Sequence, residues 1–133
     1  MIKKITKISF LLLTVVLLIS CKNTKQKLQE YVSTYNNEAS NFKSDNVTLT
    51  TARGYINDNK IELRFETDLE QNKSNKKTAE ENFPLLLKKK LKKDQALMEL
   101  IEEGVVFHVY FLADDNTVFS KEVINKKEIN KFL

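Results

Sequence analysis

The chain is poor in the residues from which most catalytic and metal-binding motifs are built. Among 133 residues there is one cysteine, one histidine, one proline, two glycines and no tryptophan. A single cysteine excludes a disulfide within the chain and a multi-cysteine structural zinc site, and one histidine cannot complete a two-histidine catalytic metal site without carboxylates. Gly54 and Gly104 stand alone, so no glycine-rich phosphate loop, dinucleotide fingerprint or nucleophile elbow can be written anywhere. Length leaves space for one small domain, since single hydrophobic cores span roughly 50 to 200 residues. These absences point to a non-enzymatic module with no cofactor and no metal.

What is present begins with an address. Lys3, Lys4 and Lys7 precede an apolar run, ISFLLLTVVLLI, over residues 8–19. A basic start followed by such a run is the layout of a secretory signal peptide. The run is too short to span a membrane, because a hydrocarbon core of about 30 Å needs roughly 20 helical residues. Leu18-Ile19-Ser20-Cys21 then resembles the lipobox of bacterial lipoproteins, with an aliphatic residue three before the cysteine and a small one directly before it. That resemblance implies a diacylglyceryl group on Cys21, cleavage in front of it, and often acylation of the new N-terminus. Residues 1–20 are then a discarded signal peptide, and the protein is exported to the bacterial cell envelope and held at a membrane by its lipid. The only thiol becomes a thioether, which suits an oxidising compartment. Two or more acyl chains hold where one is marginal, since each buried methylene contributes about 0.8 kcal/mol.

Cleavage also changes the charge. Three of the 22 basic residues and none of the 18 acidic ones lie in residues 1–20, so most of the basic excess leaves with the signal. A nucleic-acid partner, which needs a basic face, is not expected.

Residues 21–24 form a very short tether that keeps the single domain, residues 25–133, within roughly 15 Å of its lipid. Thr24 is a candidate cap. Leu28, Val32, Tyr35, Ala39 and Phe42 recur at spacings of four and three, which predicts a helix over 25–42. Residues 47–56 and 60–68 read as strands around the turn Asn57-Asp58-Asn59, with Ile61, Leu63 and Phe65 alternating against Glu62, Arg64 and Glu66. The polar stretch EQNKSNKK, residues 70–77, reads as a mobile loop. Thr78 with Glu81 reads as a capping box for a helix that starts near Asn82, with Pro84 in its first turn. Asp94 caps a short helix that buries Leu97, Leu100 and Ile101 and leaves through Gly104. Val105, Phe107, Val109 and Phe111 alternate with Val106, His108, Tyr110 and Leu112 in a strand that is apolar on both faces and therefore central. Asp114-Asp115-Asn116 turns the chain into residues 117–124, and a terminal turn from Asn125 carries Ile129, Phe132 and Leu133.

The expected fold is α+β in αββαββ order, a four-stranded antiparallel sheet with helices packed on one face. A shift of 57 residues lays Asn57-Asp58-Asn59 on Asp114-Asp115-Asn116. A duplicated unit and an unduplicated topology both fit that coincidence. The order is also similar to small uncharacterised bacterial envelope domains in which a glycine precedes an alternating penultimate strand, here Gly104 to Phe111. That resemblance carries no site.

Two surfaces are candidates for function. Val106, His108, Tyr110 and Leu112 lie on the outer face of the central strand, where tyrosine and histidine beside aliphatic residues suit a protein interface. Lys88, Lys89, Lys90, Lys92 and Lys93 surround Leu91 in a segment of opposite charge to the acidic one that follows. They are candidates for anionic headgroups, at about 1 kcal/mol per close lysine, or for an acidic partner, while a solvated helix face paired with the acidic segment is the simpler reading. Glu62 and Glu66 share a strand face as paired glycosidase carboxylates would, but Arg64 between them makes a solvated charge ladder the simpler reading. Asp114-Asp115-Asn116 lacks the ligands of a calcium loop. The expectation is a lipid-anchored, non-enzymatic envelope module that binds a protein or envelope component near the membrane. The alternative is an inhibitor or immunity-type lipoprotein that blocks a hydrolase or toxin.

Overall fold

The computed structural model describes residues 23–42, 44 and 46–133. The expected signal peptide, residues 1–20, and Cys21 lie outside the described residues. Helix α1 (Thr24–Glu38) is capped by Asn23 rather than Thr24: the Asn23 side chain accepts from the Gln26 amide at 2.9 Å while Gln26 Oε1 accepts from the Asn23 amide at 3.3 Å. The expected continuation to Phe42 is a 3₁₀ turn, Ala39–Asn41. Strands β1 (Val47–Tyr55) and β2 (Lys60–Thr67) follow, joined by a short 3₁₀ turn whose exit residue, Asn59, has φ of 51°. Asparagine tolerates that left-handed conformation better than most residues.

Helix α2 (Lys73–Lys93) is the largest local departure from expectation. Residues 73–77 of the stretch read as a mobile loop form its first turns. Asn72 caps it by accepting from the Asn75 amide at 2.8 Å, and the Asn75 side chain donates to the carbonyl of Glu70 at 2.8 Å. Thr78, the expected cap, is inside the helix, and its hydroxyl donates back to the Ser74 carbonyl at 3.1 Å. Pro84 is consequently in the helix interior on an exposed position, where it cannot donate to the carbonyl of Glu80. Burial of Ala79, Phe83, Leu87 and Leu91, four residues apart, holds the helix through that defect. Asp94 then caps α3 (Gln95–Glu102), and Gly104 leaves it at φ of 95°. Strands β3 (Val106–Leu112) and β4 (Val118–Ile124) and a C-terminal 3₁₀ turn (Ile129–Phe132) complete the chain.

The sheet order is β1-β2-β3-β4, and both hairpins are antiparallel. The expected all-antiparallel sheet is wrong at its centre, where β2 and β3 run parallel from Lys60 opposite Val106 to Glu66 opposite Leu112. Helix length explains it. At 1.5 Å per residue α2 covers about 31 Å, more than the height of β2, so the helices return the chain to the end at which β2 began. The strand that follows can only repeat the direction of β2.

The same order excludes the duplicated unit. Viewed from the helices with β1 pointing up, β2 lies on one side of it, say the right. Strand β3 points down, so a second copy of the unit, turned about the sheet normal, would place β4 on the left of β3. It lies on the right. The two hairpins therefore have opposite hands relative to their helices.

One face of the sheet carries the core. Ile61, Leu63 and Phe65 of β2 and Phe107 and Val109 of β3 are at most 1% exposed, against Leu28 and Tyr31 of α1, Phe83 and Leu87 of α2, and Leu97 and Ile101 of α3. The C-terminal turn adds Ile129 and Phe132 on this helical side, and packs on α2. All these side chains come from residues 28–132, so a chain beginning at Asn23 retains the whole core. Helix α1 also fastens the outer edge of β1: the Asn36 side chain donates to the Ala52 carbonyl at 2.9 Å and accepts from the Ala52 amide at 2.8 Å.

Candidate binding surfaces

The outer face of the sheet is built by strand alternation. The pairing aligns Arg53, Glu62, His108 and Val123 in one row and Thr51, Arg64, Tyr110 and Lys121 in the next. Tyr55, beside Lys60, donates to Glu62 Oε2 at 3.1 Å, and its ring lies 4.4 Å from the Lys60 ammonium and 5.4 Å from the Arg53 guanidinium. Lys121 lies 5.2 Å from the Tyr110 ring. His108 has no hydrogen-bond partner among the described residues. Partial burial, then the charges of Lys121 and Lys60, hold its imidazole below the ordinary value, against the pull of Glu62, so it is neutral at pH 7. Among the described residues neither a nucleophile nor a carboxylate lies within hydrogen-bond reach of this imidazole.

Of the four residues expected here, Val106, His108 and Tyr110 are half-buried on this face, while Leu112 is only 1% exposed. Leu112 is thus corrected from surface to interior. At this end of β3 the register with β4 shifts, and the chain leaving β2 is tied across it. Thr67 Oγ1 donates to the Leu112 carbonyl at 2.7 Å and the Asp114 amide donates to the Leu69 carbonyl at 2.8 Å. Sequence reading missed the residues that replace it. Among the described residues the exposed large hydrophobics are Leu49, Leu85, Val118, Val123 and Leu133, and Leu49, Val118 and Val123 pair with Glu66, Leu112 and His108 on this outer face.

The second surface is a groove of about 970 Å³ between α1 and the α2–α3 corner. Tyr31, Tyr35, Phe42, Leu86 and Leu100 give it apolar walls, and Thr50 lies at its base. Each phenol is engaged. Tyr31 donates to Asp94 Oδ2 at 2.7 Å, and Tyr35 shares a 2.6 Å hydrogen bond with Thr50 Oγ1. Burial, reinforced by Asp94, pushes the Tyr31 phenol far up, and burial takes Tyr35 to about 12 despite its Thr50 bond, so both stay protonated.

The lysine cluster is split by the helix. Lys89, Lys90 and Lys93 line the groove, whereas Lys88 and Lys92 are exposed outside it. The Lys90 ammonium is 4.4 Å from the Tyr35 ring centre and 5.7 Å from that of Phe42. Burial lowers its pKa, opposed by the fields of Asp94 and Glu38. The groove-lining lysines of α2 lie beside α1 rather than beneath its first turn. Tyr31 and Tyr35 lie seven and eleven residues beyond Thr24, so these contacts are about 10 to 17 Å along the helix axis. At the first turn itself Lys27 and Thr24 meet Glu103, which lowers the Glu103 carboxyl below its usual range.

Among the described residues no cluster of three or more metal-ligating side chains occurs, and no helix is long and apolar enough to cross a membrane. Comparison with known protein families, with curated proteins and with solved structures gives no match.

Proposed function

We propose that this protein is a lipid-anchored, non-enzymatic module of a bacterial envelope that captures a protein partner close to the membrane through the outer face of its sheet. The lipobox at Leu18 to Cys21 supports export and anchoring, and the domain following two residues later supports a position near the bilayer. The observation that carries the binding role is the outer face, which no element among the described residues covers. It carries Val123 beside His108, with Tyr110 in the next row and Tyr55 near the same end, and Leu49 and Val118 on the two outermost strands at the other end of the sheet. Tyrosine and arginine, here Tyr55, Tyr110 and Arg64, are enriched at binding hot spots.

Anchoring is tested by replacing Cys21 with Ser: the protein should lose acyl labelling and leave the membrane fraction, and continued labelling would remove the lipobox reading. Binding is tested by a photo-crosslinker at Tyr110 or Val123 in envelope fractions, with Leu85 on α2 as the control position. A discrete adduct from the sheet positions alone, lost in a His108→Ser, Tyr110→Ser double variant that still unfolds cooperatively, supports the reading. Unchanged capture in that variant ends it. A captured hydrolase or toxin that loses activity on capture would make the protein the inhibitor form of the same module.

A further inference from the structure

We infer that the groove between α1 and the α2–α3 corner is a binding site for a single-chain anionic amphiphile, a carboxylate or phosphate head on one aliphatic tail, with Lys90 as the partner of the head. The proposal rests on the groove alone and is independent of the sheet-face reading and of the anchor.

Lys90 is the first reason. Its ammonium is half-buried, and among the described residues no carboxylate comes within ion-pair distance of it. The nearest acid in sequence on this wall, Asp94, is already committed, one oxygen to Tyr31 and the other, at 3.0 Å, to the Leu97 amide. The rings of Tyr35 and Phe42 favour the charge but accept no conventional hydrogen bond, so the ammonium keeps donors for an oxyanion entering the groove. Taking a charge from water without pairing it is costly, and an anionic ligand offsets that cost. Lys89 and Lys93 stand on the same wall, while Glu30, Glu38 and Glu99 line the α1 and α3 sides. An anion is therefore directed to the α2 wall.

Shape is the second reason. The groove follows one side of α1 from Lys27 to Ala39, twelve residues or about 18 Å of helix axis. That is the length of an extended acyl tail rather than of a compact ring. Its volume lies at the upper end of the usual range for small-molecule sites, and Tyr35, Phe42 and Leu86 give a tail apolar contact on walls that also carry polar residues such as Thr34 and Asn41.

The test uses the chain from Asn23, which retains the whole core. Dodecanoate and dodecyl phosphate are titrated below their micelle concentrations by calorimetry, with dodecyltrimethylammonium, acetate and inorganic phosphate as comparisons. Both amphiphilic anions should bind saturably at one to one, with the cation of equal tail length and the headgroups alone at least tenfold weaker. Lys90→Met keeps the packing of the stem and should weaken the anions at least tenfold, whereas Lys88→Met should leave them within twofold. Ring resonances of Tyr31 and Tyr35 should shift on binding and those of Tyr110 should not. Equal binding of the cationic amphiphile, no binding of either anion, undiminished binding by the Lys90 variant, or shifts confined to Tyr110 would each overturn the proposal. A groove-filling Ala96→Trp variant that still unfolds cooperatively should also block the anions, and its failure to do so would place them elsewhere.

Discussion

The two faces of strand β2 show how one eight-residue segment serves two purposes. Inward, Ile61, Leu63 and Phe65 are at most 1% exposed. Outward, Lys60, Glu62, Arg64 and Glu66 are half-exposed and joined by one long ion pair, Lys60 to Glu62 at 4.0 Å. Burial of a large apolar side chain contributes about 1.5–3 kcal/mol, while an exposed ion pair contributes about 0–1. Stability therefore resides on the helical side, and the outer side is free to be specified by binding.

That contrast can be broken most forcefully at Phe107, fully buried on the helical side. Phe107→Ala should cost about 3–5 kcal/mol in urea unfolding, and a cost below 1 kcal/mol would mean the core is elsewhere. Pro84 tests whether burial alone carries α2. Pro84→Ala restores a backbone donor on the exposed side of the helix and should raise stability by about 1–3 kcal/mol without changing the denaturant slope. Tyr31→Phe removes one hydroxyl from the groove and leaves Asp94 short of a donor, so a loss of about 1–2 kcal/mol is expected by the same measurement. Arg64→Ala on the outer face should change stability by no more than about 0.5 kcal/mol while reducing partner capture. The smallest effect is electrostatic. The folded state holds His108 below its ordinary value of 6.5, so the unfolded chain takes up its proton first and stability should fall as pH drops from 7 through 6.5 until the folded pKa is passed. His108→Gln should flatten that part of the profile, and an unchanged slope would assign it to other groups.

Much of the helical side was legible from residue order because local signals and burial agree there. Alternation in β2 and β3, the Asp94 cap and the Gly104 exit each depend on residues close in sequence. The start of α2 was misread because Thr78 and Glu81 form a valid capping pattern, whereas the operative cap depends on Asn72 and on Asn75 reaching Glu70. Ala79, four residues before Phe83, was the signal that the helix extends further back. The parallel central pair was hidden because it follows from how far α2 travels, which the misplaced start shortened. The outer surface was only half visible, since Val123 joins His108 through pairing between strands and Leu112 is withdrawn by a register shift. The groove was not visible at all. Tyr31 lies one residue off the apolar stripe, and Lys90 is fifty-five residues beyond Tyr35 in the chain.

Asn36 gives the sheet a direction of growth. Its carboxamide presents a donor and an acceptor to Ala52 much as a neighbouring strand would, so a single side chain stands in for a fifth strand at the middle of the β1 margin. On the opposite margin β4 has a strand neighbour on one side only. Any further strand, from a swapped copy of the chain or from an aggregate, is steered to β4, where a symmetric antiparallel match centred on Lys121 would set two ammonium groups against each other. Polymerisation is thus discouraged by a plug at one end and by like charge at the other.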